Sequence, residues 1–331
     1  MSSSAPTLGD LLRAWTLSPI VDMLLVAGAV IYPWLVLRAR SQGMPWPKAR
    51  AGCWYAGLAV SAVTTNSALA IYSHNLFTAH MLVHLLMIMV VPALFVWAQP
   101  IRLVHSASGP HTRARIDRLR TRGPLRSLVS VRFTVPLYTA VILLTHLTGF
   151  QQAMATHMWI HDAELMLYFL SGYLLLLPLI GGELTIEPAR PHPLRLVVLA
   201  LCTGPDTLVG VTLMMSTSVL APAYAASRTW GPTALADQSA AGVIMWVGGD
   251  GVMMVLMLIV VAQWIRSGDH GLGPWLDAIR GDATLGQSGA DISDIDNEQA
   301  ALDAYNARLA ELHGRPHTLI AHPQNGMTND E

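Results

Sequence analysis

The sequence predicts an all-α fold: a polytopic membrane helix bundle of about seven transmembrane helices, with the N-terminus outside and the C-terminus cytoplasmic. Three observations carry this. Of 331 residues, 53% are hydrophobic and only 12% are charged, whereas a soluble domain carries roughly a quarter charged residues. Seven apolar stretches approach the roughly 20 residues that a helix needs to cross a hydrocarbon core about 30 Å thick. Lysine and arginine gather in alternate connections, as the positive-inside rule requires of cytoplasmic loops. The composition excludes a soluble enzyme, a disordered chain and a nucleic-acid binder with a basic face. The net charge of −1 hides a split, since residues 1–265 carry +6 and residues 266–331 carry −7.

The opening MSSSAPTLGD lacks the basic region and small-residue cleavage site of a signal peptide, so the first span is expected to drive insertion. Residues 1–19 form an extracytoplasmic segment and residues 20–265 the transmembrane domain. Spans are expected at 20–38, 52–72, 80–100, 133–150, 161–180, 195–220 and 239–265, each dominated by Leu, Val, Ile, Met and Ala. The fifth has polar side chains in its first turn. The loop at 38–51 holds Arg38, Arg40, Lys48 and Arg50, and the loop at 101–132 holds eight arginines against the single acid Asp117. Arg190, Arg195 and Arg266 fall on the same side, while the opposite side has only Arg13 and Arg228. The tail at 266–331 is acidic and cytoplasmic, with a helix expected at 293–313. Ser293 or Asp294 would cap that helix and Gly314 would stop it. Its Leu302, Tyr305, Leu309 and Leu312 share one face, which docks on the bundle or meets a partner. Cys53 and Cys202 lie in apolar runs without CxxC spacing; they exclude a disulfide framework and a structural zinc site and read as packing residues.

Chemistry gathers at the outer ends of spans two to five. Of 13 histidines, His74, His80, His84, His146, His157 and His161 all fall there, on a side assigned from arginines alone. HMLVH at 80–84 puts two imidazoles about one helical turn apart, facing the same way, with His84 about 6 Å deeper. Met87 continues the stripe. HMWIH at 157–161 repeats the spacing, and Glu164 follows. A lone HxxxH in an apolar helix is usually hydrogen-bonded packing. Two such pairs together with His146, among ionisable groups that are costly inside a membrane, favour metal ligation. Methionines nearby, including Met87 and Met245, would make a mixed imidazole and thioether shell that suits Cu(I). His74 reads as an interfacial loop residue. Asp206 follows Pro205, which loosens the local helix. Two readings of it stay open: a buried acid satisfied by its neighbours, or a relay or outer partner that orients a ligating histidine. Asp237 and Gln238 are candidates for that same outer role.

Three stretches resemble the multi-spanning CtaG-like family of cytochrome c oxidase assembly factors, associated with caa(3)-type oxidases. They are AHMLVHLLMIMVVPALFVWAQP at 79–100, the region from Thr145 to Glu164 running into a span that ends LLPLIGG, and YAASRTWGPTALADQSAAGVIMW at 224–246. The resemblance points to His80, His84, His146, His161, Asp237, Gln238 and Met245. Where many relatives read H-x-x-E-H, this chain reads HDAEL, so Leu165 replaces the second histidine and His157 is the candidate substitute. The resemblance implies a role in maturing a haem–copper oxidase in the bacterial inner membrane, with copper handled at the extracytoplasmic face. Its partners would be oxidase subunits, other copper chaperones and the bilayer, and no enzymatic role is expected. Two other classes are weighed against this. One is a copper or other cation transporter, disfavoured because the inner halves of the spans are poor in histidine and carboxylate. The other is a haem-binding membrane protein or histidine-rich membrane enzyme; a desaturase needs an HH pair, which is absent from this chain.

Overall fold

The computed structural model describes residues 7–121, 127–151, 158–181, 191–226 and 229–267, and these contain helices and no strand. The elements are α1 (Leu8–Arg13), α2 (Pro19–Ser41), α3 (Lys48–Asn66), α4 (Ala68–Tyr72) and α5 (Phe77–Leu85), followed by a π-helical turn at Leu86–Val90. Then come α6 (Val91–Ala98), α7 (Pro100–Ala107), α8 (Pro110–Thr121), α9 (Val131–Leu147), α10 (Met158–Ile180) and α11 (His192–Met215). The last are α12 (Pro222–Ala226), α13 (Ala234–Val243), a second π turn at Ile244–Gly248, and α14 (Gly249–Arg266). Proline in the first helical positions starts α2, α7 and α11, where its missing N–H removes no helical bond.

Among the described residues, five stretches are long and apolar enough to cross a membrane: Pro19–Ser41, Phe77–Ala107, Ile160–Ile180, His192–Met215 and Ala234–Arg266. Two of the seven expected spans fall short, for local reasons. The 52–72 stretch opens on Lys48 and Arg50 and is broken at Ser67, whose hydroxyl donates back to the Val63 carbonyl of α3 at 2.6 Å and accepts the Leu69 N–H at 3.1 Å to start α4. The 133–150 stretch becomes a helix of 17 residues that ends at Leu147. The expected span at 195–220 stops at Met215. The tail beyond residue 267, including the helix expected at 293–313, lies outside the described residues.

The order of burial places the elements. Along α2, Ile20, Met23, Val26, Val30, Trp34 and Leu37 are exposed, a continuous apolar surface that water would not tolerate. The stretch from α5 to α7 is the most buried, and with α9, α10, α11 and α14 it encloses one core around Met81, Ile88, Tyr138, Tyr168, Leu176, Leu199 and Met253. Close approaches between backbones tighten this core. At Gly172 of α10 an added Cβ would run into the carbonyl of Ile88, in the first π turn. At Gly210 of α11 a Cβ would stand 2.7 Å from the Gly242 carbonyl of α13. Small residues at crossings are how membrane helices gain contact without a hydrophobic driving force between them.

The helices have two chemically different ends. Arg38 and Arg40 end α2, Lys48 and Arg50 begin α3, and Arg266 ends α14. Buried Arg195, at the start of α11, donates to the Leu179 carbonyl of α10 and, at 2.7 Å, to Gln263 Oε1 of α14. The other end carries the histidines and is closed by the N-terminal segment. A Thr7–Asp10 capping box forms α1. Thr16 then donates to the Asn66 carbonyl at 2.8 Å, and Asp22 accepts from Ser18 N at 3.0 Å and from the Asn66 side chain.

Candidate metal centre

The helix that carries the first histidine pair starts at Phe77. Its N-cap position, Leu76, has no side-chain acceptor, so two backbone donors would be orphaned where α5 begins. Asp237, in the first turn of α13, supplies the acceptors. Its Oδ2 accepts Phe77 N–H at 2.9 Å and its Oδ1 accepts Thr78 N–H at 3.1 Å, while the Thr78 hydroxyl also donates to it. A carboxylate 160 positions downstream thus caps the helix and sets its height in the bundle. Asp237→Ala is expected to cost about 2 kcal/mol, the loss of a cap plus buried donors left unmade. Thermal unfolding in detergent checks this, and an unchanged midpoint would show that α5 is held by packing alone.

One turn into α5, His80 is fully buried, and neither of its ring nitrogens has a hydrogen-bond partner. Its ring centre lies 3.9 Å from that of His84. His84, also fully buried, faces α9 and α10. Its Nδ1 stands 3.4 Å from His146 Nε2, and its Nε2 stands 3.4 Å from Glu164 Oε2 without hydrogen-bond geometry. Glu164 is 1% exposed and neither carboxyl oxygen has a hydrogen-bond partner. His161, on the preceding turn of α10, has an unpaired Nε2 and a ring centre 5.5 Å from His80. One donor atom from each of His80, His84 and Glu164 falls within 4.8 Å of the others.

The neighbouring groups orient this set. The Ile142 carbonyl lies 2.9 Å from His146 Nδ1, which puts the ring proton there and leaves the Nε2 lone pair facing His84. Tyr168 stacks on His84 with ring centres 4.3 Å apart, and its hydroxyl pairs with Thr145. Six buried nitrogen and oxygen atoms on His80, His84, His161 and Glu164 therefore lack a hydrogen-bond partner. Each such atom costs about 1–3 kcal/mol unless something satisfies it. The donors are imidazole nitrogens and a carboxylate, an unpaired set that fits a cation. Imidazole shells suit copper and zinc better than calcium or magnesium.

The other expected site residues sit elsewhere or act differently. Met87 is half-buried, in the π turn that starts at Leu86. Met245 is buried in the second π turn as part of the apolar core. His157 lies outside the described residues. Asp237 holds the backbone at the start of α5. Gln238 ties down the loop after α11, accepting from Leu220 N at 2.8 Å and donating to the Ser218 carbonyl at 3.1 Å. Asp206 is fully buried. Its Oδ2 accepts from Tyr138 at 2.9 Å, and its Oδ1 is unpaired, so its partner is a tyrosine and not a ligating histidine. Sequence reasoning missed Tyr168, which sits four residues after Glu164 and therefore on its face, and His74, whose ring centre lies 4.8 Å from that of His161. Nothing in the SHN turn announces the second contact.

Bilayer-length helices around a buried histidine–carboxylate cluster define a multi-pass membrane protein with a candidate metal centre. The family model described as cytochrome c oxidase caa3 assembly factor (Caa3_CtaG) matches residues 30–267, a stretch that contains every residue of the cluster. The chain belongs to that family. It is also similar to protein Mb0105 of Mycobacterium bovis and protein MT0111 of Mycobacterium tuberculosis, each 27% identical over 93% of this chain. Protein ML1998 of Mycobacterium leprae is 24% identical over the same share. The chain spans 46% of the length of these relatives. No solved structure matches it.

Proposed function

We propose that this protein is a non-enzymatic, copper-handling assembly factor of a haem–copper cytochrome c oxidase. It binds Cu(I) among His80, His84, His146, His161 and Glu164 at the extracytoplasmic face of the bacterial cell membrane and passes the ion to an oxidase subunit by ligand exchange. The observation that carries this reading is the set of six unpaired nitrogen and oxygen atoms buried together. Family membership supplies the client, and the donor set supplies the cargo. The Glu164 carboxylate balances the charge of a monovalent ion, so the loaded site buries no net charge from that pair. His80, with both ring nitrogens unpaired, is the ligand freest to move between donors. In this reading α3 and α9 complete a seven-span topology, and the arginine-rich end faces the cytoplasm. Oxidase subunits, and other copper chaperones that load the site, are its partners.

The test is made in the native host. With His80→Ala or His84→Ala, oxidase copper content and activity are expected to fall severalfold while the amount of this protein in the membrane is unchanged. Unchanged oxidase copper in both variants would overturn the proposal.

A transporter remains the second reading because Asp206 has an unpaired buried oxygen deeper in the bundle; metal uptake into proteoliposomes would establish it. A haem between His84 and His146 is disfavoured by geometry. Their facing nitrogens are 3.4 Å apart, less than the roughly 4 Å that two metal–nitrogen bonds span.

A further inference from the structure

Beside the cluster lies a cavity of about 490 Å³. It is lined by residues 16–21 on the approach to α2, by Thr64 and Thr65 at the end of α3, by Ala70 and His74, and by His161, Asp162 and Leu165 of α10. His74 is exposed, His161 is 6% exposed, and His80 and His84 are fully buried. Their ring centres follow one another at 4.8 Å from His74 to His161, 5.5 Å from His161 to His80 and 3.9 Å from His80 to His84. Imidazoles therefore run without a gap from the cavity wall to the unpaired donors of the core. Rings at these separations put nitrogens of adjacent residues within reach of one ion, whose two bonds span about 4 Å.

We propose that this cavity is the doorway of the copper site and that His74 and His161 form a transit station at which an arriving Cu(I) ion first rests. The proposal rests on the copper reading above and goes beyond it by naming the route. The ion moves by associative exchange. A bond forms from His161 to the ion as a bond to the incoming donor breaks, and the step repeats from His161 to His80. No electrons change hands. Each imidazole takes part as a neutral ring with one free lone pair, and the departing donor keeps its own. The positions that line the cavity support the assignment. Leu165 stands where the family pattern has a second histidine after the glutamate, and it lines this same cavity. His74 brings an imidazole to that wall from the turn between α4 and α5. It compensates for Leu165 from a different part of the chain.

The experiment measures Cu(I) transfer from a weak chromophoric chelator to detergent-purified full-length protein, recording both the rate and the final copper content. Wild type, His74→Ala, Ala70→Trp and the double variant His74→Ala/Leu165→His are compared. His74→Ala is expected to load about tenfold more slowly and to reach the wild-type content, a change in barrier without a change in end state. Ala70→Trp fills the doorway and is expected to slow loading similarly. Its eventual full loading would confirm an intact fold. Leu165→His is expected to restore the rate lost with His74. Wild-type rates in both His74→Ala and Ala70→Trp would overturn the doorway. A lower final content in His74→Ala would overturn it as well, by making His74 a resident ligand. If wild type retains no copper at all, the copper reading fails and not the route alone.

Discussion

Replacing His80 and His84 together with alanine is expected to abolish copper retention. Wild type, equilibrated in detergent with limiting Cu(I) and desalted, would hold about one ion per chain by mass spectrometry, and the double variant close to none. The expectation follows from the cluster's construction. His80 and His84 are the fully buried histidines of α5 that face Glu164, and one donor atom from each falls within 4.8 Å of the others. Removing both leaves His146 and His161 on separate helices with a carboxylate between them, too few imidazoles to compete with a chelating buffer for a soft ion. The variant should still fold, because neither ring nitrogen of His80 nor the Nε2 of His84 has a hydrogen bond to lose, and the only one removed is the 3.4 Å contact of His84 Nδ1 with His146. Each truncation also removes an unpaired polar atom from the core. Loss of the protein from the membrane would mean that these rings hold the bundle together. Wild type that keeps no copper would make the histidines structural and the protein a scaffold for oxidase assembly.

The second large effect is expected at Gly172. Valine there should prevent the protein from accumulating, and alanine should lower its unfolding midpoint substantially. A Cβ at this position overlaps the backbone carbonyl of Ile88. That atom belongs to a helix buried on most sides and cannot swing away as a side chain would. Overpacking of a tight core costs about 1–3 kcal/mol, and more where backbone must shift. The displaced crossing also holds Glu164 and His161 against α5, so Gly172→Ala should weaken metal binding as well as stability. A wild-type midpoint in Gly172→Val would show that α10 and the π turn of Leu86–Val90 pack less closely than described.

Much of the site was readable in the chain, because the information is local. HMLVH places two imidazoles on one helix face at any register, and the rule of one turn per four residues needs no knowledge of the fold. Arginine counts, independent of the histidines, separated two ends that the structure keeps apart. What escaped was non-local or unmarked. LMIMV at 86–90 is uniformly apolar, so no side chain signals the extra residue of the π turn in which Met87 lies. An apolar run at 52–72 averages over the break at Ser67. Asp237 looked like a partner for a histidine because its role depends on where α5 begins in space. The departure at Leu165 was visible, and its candidate replacement, His157, lies outside the described residues; a ring found beside His161 is that of His74, from another element.

The cap that Asp237 places on α5 ties the order of synthesis to the competence of the site. His80, His84, His146, His161 and Glu164 are all translated before residue 165, yet the helix that presents the first two is clamped by a residue made more than seventy positions later. A ribosome-bound chain that has inserted only through α10 would already carry every proposed ligand, but with the start of α5 unsecured. Copper offered at that stage would meet unplaced imidazoles. The site becomes well formed when α13 docks, so a chain truncated before residue 237 is expected to be a poor metal binder despite containing all its ligands.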